Sequence, residues 1–445
     1  MGLGLQIFSE IKPVGLLRRK PDPVKFLEEI GRTLKAIVAR DGFTLAYPEI
    51  FNGELSLQIY PVEEAVFFSV NERGQLVCSA KTSGAGPGYH AYLIEKLDEL
   101  EKRCHLKWIW DNREDFFDET GYALDREYPK LQAKMEDFLG GLAKLVVQKS
   151  EEGNSNLCLN FPLGMEVQIE NTAASPKGMW DKSFFEEIAA KRGDHQALVP
   201  YAERFFAWWR KEQDASFWKN LGLCLFWMEV PWRPVTENEQ SLRKTMEYAI
   251  ECFMKAKKLD PSIEIPWTEI NELKEILIYK FGKSTEPLPV PVPGRIGYFR
   301  LLKHRPLTGG WKVSAPGYFY EEFEDDTSSQ VYWYGGRVIR GSSFTINYDN
   351  KKESPADEMI KKERRENKII AEFQKERLVG IAYEKYITAE NSESGQPYYI
   401  LFCIAGFEGE LCNLSICYDD QSDQPWAIEV FKSLTHPAMH DKQEQ

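Results

Sequence analysis

Apolar residues in the middle of the chain recur at the spacing of an α-helix. Two sets stand three or four positions apart: Trp218 and Leu221, then Ala249, Phe253 and Ala256. At that spacing the side chains of each set lie on one face, so the pattern predicts two amphipathic helices. Small residues, Gly222 and Ala249, allow these helices to approach closely, and Pro261 ends the second one.

The same residues resemble a tetratricopeptide repeat. Trp218, Leu221 and Gly222 match its W-x2-L-G opening, and the stretch 249–261 matches its A-x3-F-x2-A-x4-P second half. The resemblance covers residues 201–267 and implies one helical hairpin, extended beyond the usual repeat by an insertion at 230–234. Because one hairpin cannot bury its apolar face alone, we expect helices at 197–211 and 270–279 to pack against it.

The first part of the chain predicts a sheet with helices. Alternating apolar residues predict strands at 55–60, 65–70, 75–80, 106–110, 157–161 and 166–169. Helical periodicity predicts helices over 23–41, 90–104 and 128–148. The acidic loop 111–125 lacks the ligand order of an EF-hand, so we interpret it as a solvated loop. A polar link at 172–177 then leads to the central helices.

Alternating prolines at 286–294 precede a region of different pattern. Such a run prefers polyproline II and forms a semi-rigid spacer. Beyond it, strands are predicted at 311–314, 330–334, 337–348, 378–387, 398–406 and 410–418, and helices at 355–376 and 425–434. This order predicts an antiparallel sheet covered by helices. The acidic cluster 321–326 is interpreted as a solvated loop.

The order β-β-β-α-β-β-β-α, opened by Trp311-x-Val313-x-x-Pro316-Gly317-x-Phe319, resembles a Mog1/PsbP-type domain. The resemblance covers about a third of the chain. It implies a domain that binds other macromolecules and is rarely an enzyme.

The predicted fold class is α+β. It combines an N-terminal antiparallel sheet with helices, a central tetratricopeptide-like helical block, and a C-terminal antiparallel sheet covered by helices. A chain of 445 residues is too long for one ordinary core. The predicted divisions are an N-terminal domain at 1–175, the helical block at 176–285, a proline-rich linker at 286–296, a C-terminal domain at 297–437 and a tail at 438–445.

Composition narrows the class of protein. A hydrophobic content of 43% with 28% charged residues is typical of globular proteins. The net charge of -13 argues against nucleic acid or an anionic membrane as the main partner. The eight cysteines form no C-x2-C pair, which favours reduced thiols over disulfides or a zinc site. With no apolar run of 18 residues and no secretory signal, we expect a cytoplasmic protein without cofactor or metal.

A glycine-rich turn is the strongest candidate for ligand chemistry. Gly84, Gly86 and Gly88 follow a predicted strand and lead to His90 at the start of a helix. Free backbone N–H groups and the helix dipole favour an anion such as phosphate at such a turn. It matches neither the Walker loop nor the dinucleotide fingerprint. His90 is a candidate acid or base, and the alternative is a tight structural turn with a polar histidine at its cap.

Four tryptophans of the helical block form a second candidate site: Trp208, Trp209, Trp227 and Trp232. Large aromatic side chains at helical spacing are interpreted either as core residues or as the lining of a groove for a partner peptide.

The residues support two functional hypotheses. The first is a non-enzymatic, cytoplasmic protein-binding protein, an adaptor or an immunity protein of a bacterial toxin system. Its negative charge suits a basic partner protein, and the chain also resembles uncharacterised bacterial proteins associated with toxin neighbourhoods. The second is an enzyme or phosphate-ligand binder that uses the turn 84–90. The oligomeric state is left open by the sequence.

Overall fold

The N-terminal part of the chain forms an antiparallel sheet with helices packed on it. The structure, a computed structural model, describes residues 2–11, 22–61, 63–110, 117–153, 156–162, 165–169, 172–280, 287–347 and 354–439. The elements of this part are, in chain order, β1 (Gly4–Glu10), α1 (Pro23–Arg40), β2 (Pro48–Phe51), β3 (Glu54–Leu57), β4 (Val66–Val70), β5 (Gln75–Lys81), α2 (Pro87–Arg103), β6 (Trp108–Ile109), β7 (Phe117–Asp118), α3 (Tyr122–Asp125) and α4 (Tyr128–Glu151). The strand order is β2-β3-β4-β5-β1-β6, with β7 also paired to β1.

Strand β1 lies inside this sheet, although the hydrophobic pattern did not predict it. It pairs with β5 along its whole length, from Gly4 opposite Lys81 to Glu10 opposite Gln75. On its other side it pairs with β6 and β7. Consecutive residues such as Ile7 and Phe8 are both buried. A strand covered on both faces does not show the apolar–polar alternation that marks a half-exposed strand.

The central part contains a small sheet and five helices among the described residues. These elements are β8 (Asn156–Cys158), β9 (Thr172–Ser175), β10 (Gly178–Asp181), α5 (Lys182–Ala190), α6 (His195–Phe205), α7 (Ala215–Met228), α8 (Gln240–Leu259) and α9 (Trp267–Ile278). The predicted polar link 172–177 is therefore wrong, because β9 lies there, pairs antiparallel with β10 and pairs parallel with β8. Around 166–169 the structure has only an isolated bridge, between Val167 and Lys303.

Helix α6 ends earlier than the pattern predicted. The expected helix 197–211 stops at Phe205, and Phe206 has an extended backbone. The segment 206–210 then leaves the helix and packs against the start of α2, where the Trp208 N–H donates to the Ala85 carbonyl over 2.8 Å. The aromatic residues of this segment are buried because the segment packs against α2, and not because they lie on the apolar face of a helix. The spacing of apolar residues alone does not distinguish these two cases.

Helices α7 and α8 pack closely through the glycine that the sequence singled out. A Cβ at Gly222 would lie 2.9 Å from the Phe253 ring. The Phe226 and Phe253 ring centroids are 4.8 Å apart, and the Lys255 ammonium lies 3.4 Å from the Trp218 ring centroid. These contacts place the two helices antiparallel. The insertion 230–234 connects them, and Trp232 within it is fully buried.

The C-terminal part forms a second antiparallel sheet with one helix on each face. Its elements are β11 (Leu302–Pro306), β12 (Lys312–Pro316), β13 (Tyr320–Glu324), β14 (Ser329–Tyr334), β15 (Arg337–Thr345), α10 (Pro355–Glu366), β16 (Ile369–Lys375), β17 (Leu378–Ile387), β18 (Tyr398–Phe407), β19 (Glu410–Tyr418) and α11 (Gln424–Lys432). The sheet order is β13-β14-β15-β19-β18-β17-β16, and β11 and β12 form a separate pair. The α+β class with N- and C-terminal sheets is thus confirmed.

Two predictions for this part were wrong. The charged helix predicted over 355–376 ends at Glu366, and residues 369–375 form edge strand β16 against β17. The cluster 321–326, expected to be a loop, begins within edge strand β13. In both cases charged residues occupy a sheet edge, where they face solvent and protect the edge from pairing with another chain.

The described buried residues form two clusters. One runs from Leu5 to Tyr298 and joins the N-terminal sheet to the helical block, and the other runs from Leu307 to Leu434. The boundary between the N-terminal domain and the helical block, predicted at residue 175, stays a prediction. The β9–β10 hairpin has one strand on each side of this boundary. Arg300, two residues before β11, ties the start of the C-terminal part to the helical block. It donates to both carboxylate oxygens of Glu272 in α9 over 2.8 and 2.9 Å, and it lies 3.8 Å from the ring centroid of Trp232.

We expect Gly222→Ala to lower the stability of the protein. A helical glycine replaced by alanine gains up to about 1 kcal/mol, but overpacking against the Phe253 ring costs about 1–3 kcal/mol. The matched control is Gly141→Ala in α4, where a Cβ meets nothing within 4 Å, so this change raises stability by about 0.5–1 kcal/mol. Thermal unfolding of both variants tests this, and an equal gain in both would contradict the close approach.

Replacing Arg300 tests the junction with the C-terminal part. Its side chain is fully buried, so Arg300→Met leaves Glu272 without its bidentate partner and destabilises by about 3–5 kcal/mol. Arg295, 3.2 Å from Glu272, places the loss toward the lower end of that range. The control Arg364→Met breaks an exposed pair with Glu372 and changes stability by less than about 1 kcal/mol. Similar denaturation midpoints for the two variants would show that the Arg300 pair does not hold the junction.

Candidate functional site

The glycine-rich turn packs tightly against the segment 206–210. It follows β5 and begins α2. A Cβ at Gly86 would lie 2.8 Å from Phe206, and Cβ atoms at Gly84 and Gly88 would clash with the side chains of Asn160 and Trp208. Gly86 also has a φ of 113°, which favours glycine. Close packing therefore accounts for the three glycines that the sequence identified.

The N–H groups of this turn are engaged by the protein itself. The Ala85 N–H donates to a carboxylate oxygen of Glu63. The Gly88 N–H donates to the Trp208 carbonyl over 2.9 Å. The place predicted to bind an external anion thus holds the chain's own carboxyl group.

Glu63 is a buried acid with a perturbed pKa. Its residue is only 4% exposed. Burial raises the pKa of Glu63 to about 8, against the lowering effect of the N–H groups of Ala85 and Gly84. A carboxyl group in this environment binds a proton more readily than it does in the unfolded chain.

His90 is inaccessible to solvent and has partners at both ring nitrogens. Thr82 Oγ1 lies 2.8 Å from Nδ1, and Thr120 Oγ1 lies 3.0 Å from Nε2. Asp118 Oδ1 is 3.2 Å from Nε2. Burial would raise the pKa of Asp118, but the hydrogen bond and charge of His90 hold that pKa well below its usual value. This geometry supports the structural interpretation of His90, which ties α2 to β7.

The four candidate tryptophans take different positions. Trp208 and Trp232 are fully buried, and Trp232 Nε1 donates to the Phe226 carbonyl over 3.1 Å. Trp227 is half-buried, with its ring centroid 4.7 Å from that of Tyr298. Trp209 is 7% exposed and lines a cleft. Burial supports the core interpretation for Trp208 and Trp232 and leaves Trp209 next to a surface site.

That cleft lies between α6, α7 and the β9–β10 turn and has a volume of about 530 Å³. The segment 207–210 forms one wall, and Ala207 accepts a hydrogen bond from the Asn220 amide over 3.1 Å. Trp180 lines the cleft and stacks on Phe184 with centroids 4.4 Å apart. The volume is within the range of about 300–1,000 Å³ typical of ligand sites.

Charged side chains surround this cleft. The cations Lys177, Arg204, Arg210 and Lys219 and the carboxylates Glu203, Glu212 and Asp214 line it. Lys177 Nζ donates to the carbonyls of Glu203 and Phe206 over 3.0 and 3.2 Å, at the end of α6. Burial and the nearby charges of Lys219 and Arg204 lower the pKa of Lys177 to about 8.

Sequence reasoning found only part of this site. It singled out Trp209 and located the helices, but it did not identify Lys177, Arg204 or Lys219. Each of these cations lies on a different element and carries no local motif. The nearest signal was Lys177 beside Pro176 in what had been interpreted as a polar link, whereas the structure shows the turn of a hairpin.

Within the described ranges no group of three or more His, Cys, Asp or Glu side chains has an arrangement that could hold a metal ion. Among the helices of the described part, none combines the length and the apolarity that are needed to cross a bilayer.

No protein-family model and no curated protein matches the chain. A crystal structure of a protein from Bacteroides thetaiotaomicron is similar over 28% of this chain and 45% of its own, with 17% sequence identity and a TM-score of 0.24. The matched part thus spans less than half of that chain, and a likeness this low carries no argument about fold or function.

Glu63→Gln tests the buried acid. Because the folded-state pKa of about 8 lies above the ordinary 4.5, protonated Glu63 stabilises the fold fully below pH 4.5, and that contribution is lost as the pH rises to 8. The decline is about 1.4 kcal/mol per pH unit. Glutamine cannot ionise, so the variant should lack this part of the decline in unfolding free energy. Glu64→Gln, an exposed neighbour paired with Lys81, is the control, and parallel pH profiles for Glu63→Gln and wild type would refute the assignment.

Proposed function

We propose that this chain is a non-enzymatic protein-binding protein, of the adaptor or toxin-immunity kind, which holds a segment of its partner in the cleft beside α6 and α7. The observation that carries the proposal is the cleft itself. Its walls combine Trp180, Trp209, Arg204 and Arg210. Tryptophan and arginine, together with tyrosine, are enriched among the residues that dominate binding energy at protein interfaces.

The shape of the cleft supports a peptide segment as the occupant. One wall is the non-helical backbone of 206–210, held by Asn220 and by the Tyr128 hydroxyl, which donates to the Trp209 carbonyl over 2.6 Å. A wall fixed in this way does not have to be ordered when a partner binds. Preorganisation of this kind strengthens binding because less conformational entropy is lost.

The alternative, an enzyme or phosphate-ligand binder at Gly84–His90, has less support. The Glu63 carboxyl and the Trp208 carbonyl already accept hydrogen bonds from the turn. A general acid or base must reach its substrate within hydrogen-bonding distance, whereas the side chain of His90 is fully buried between Thr82 and Thr120.

A bulky residue at the cleft should abolish partner binding. Ser216 is exposed at the start of α7 and lines the cleft, so Ser216→Trp fills the site without removing any charge. Ser241→Trp is the matched control, since Ser241 is an exposed serine at the start of α8. A photo-crosslinking amino acid at 216 should give a partner adduct that is not formed from position 241. The adduct is identified by mass spectrometry.

The identified partner is then purified and titrated by calorimetry. We expect it to bind wild type and Ser241→Trp equally, and Ser216→Trp at least about tenfold more weakly, a loss of about 1.4 kcal/mol. Equal affinity for Ser216→Trp and wild type would place the interaction elsewhere and overturn the proposal.

A further inference from the structure

Cations without carboxylate partners meet at the cleft. Lys177 lies in the β9–β10 turn, Arg204 on α6 and Lys219 on α7. No ion pair joins any of the three to a carboxylate of the described residues. The chain as a whole has a net charge of -13. Three cations at one cleft, unpaired within the described residues, therefore contrast with the negative net charge of the protein.

The carboxylates of the cleft pair with Arg210 or lie exposed. Arg210 pairs with Glu203 over 3.2 Å and with Asp214 over 3.8 Å. Asp214 also caps α7 by accepting from the Phe217 N–H over 2.9 Å. Glu212 is exposed. Arg210, and not the other three cations, thus pairs with Glu203 and Asp214. Four cations against three carboxylates leave the lining of the cleft with a net positive charge.

The three cations retain donors for a ligand. Lys177 gives two of its three N–H groups to the carbonyls of Glu203 and Phe206, so one remains. The Arg204 guanidinium packs over Trp180 and Phe184, 5.6 and 5.1 Å from their ring centroids. A stacked guanidinium presents its N–H groups at its edge, in the geometry that binds a carboxylate with two hydrogen bonds.

We propose that the occupant of the cleft is an acidic segment of the partner protein, with carboxylate groups bound by Lys177, Arg204 and Lys219. This inference rests on the proposed function and adds the chemical class of the ligand. The cations come from three separate elements around a cleft of 530 Å³, an arrangement that suits several charges spaced along a chain better than a single small anion. Although the total charge suits a basic partner, the local charge of the cleft selects an acidic stretch within it.

The test uses fluorescein-labelled peptides and fluorescence anisotropy with the full chain. The peptide (Glu-Gly)5 is compared with (Gln-Gly)5, which has nearly the same shape without the charge. We expect the acidic peptide to bind wild type at least about tenfold more tightly, with an affinity that falls as salt is added.

The variant Arg204→Gln/Lys219→Gln removes two cations. It keeps Lys177, whose ammonium group donates to carbonyls at the end of α6. It should lose most of the preference for the acidic peptide. The control Arg32→Gln/Lys134→Gln removes the same charge at exposed positions outside the cleft and should keep the preference. Circular dichroism is used to check that both variants are folded.

Three results would overturn the proposal. The first is equal affinity of wild type for the two peptides, and the second is an unchanged affinity of the cleft variant for the acidic peptide. The third is displacement of the acidic peptide by inorganic phosphate at the same concentration of charge, which would make the site one for small anions.

Ser216→Trp separates this proposal from the proposed function. If both peptides bind wild type alike and Ser216→Trp abolishes both, the cleft binds peptides and only the acidic preference is wrong. If both peptides bind Ser216→Trp as well as they bind wild type, the cleft is not the site and both proposals fail.

Discussion

The insertion of Trp208 between the N-terminal sheet and the helical block is the contact on which the rest of the structure depends. Its ring centroid lies 4.4 Å from that of Phe217 in α7 and 5.1 Å from that of Tyr92 in α2. Its backbone exchanges hydrogen bonds with Ala85 and Gly88. Burial of so large a ring is strongly favourable, and here it joins two parts of the chain into one continuous core.

The same segment forms both the joint and the wall of the cleft. Trp208 packs against Gly88 and also borders the cleft, which Trp209 and Arg210 line beside it. The geometry of the candidate site therefore follows from the packing of the glycine-rich turn. In that turn the Glu63 carboxyl group accepts a hydrogen bond from the Ala85 N–H, at the place where an anion was expected.

Two buried ionisable groups show how the chain distributes charge. Burial raises the pKa of Glu63 and lowers that of Lys177, in each case toward the neutral form. Glu63 lies inside the joint, where its carboxyl group completes a packed turn. Lys177 lies at a cleft with three further cations, where an external anion would favour its charged form. Similar perturbations thus accompany a packed turn in one place and, in our proposal, a ligand-binding cleft in the other.

Much of the secondary structure was predictable from local spacing. The α7–α8 pair, the glycine contact with Phe253 and most strands of the C-terminal sheet follow from periods of 3.6 and 2. Strand β1 and the end of α6 at Phe205 were missed. The solvated loop predicted at 111–125 was also wrong where the structure describes it, since β7 and α3 lie at 117–125 and Asp118 is buried, while 111–116 lie outside the described residues. A strand buried on both faces has no alternation, and the aromatic residues 206–209 are apolar in a helix or outside one.

The sequence by itself determined the α+β class and the helices and strands that bury only one face. It also singled out the glycine-rich turn. Only the tertiary structure decided what fills that turn and which cations meet at the cleft. The physical reason is that hydrophobic spacing reports the face of a single element, whereas Lys177, Arg204 and Lys219 come together through the packing of three elements. Long-range packing of that kind leaves no periodic pattern around any one of these residues.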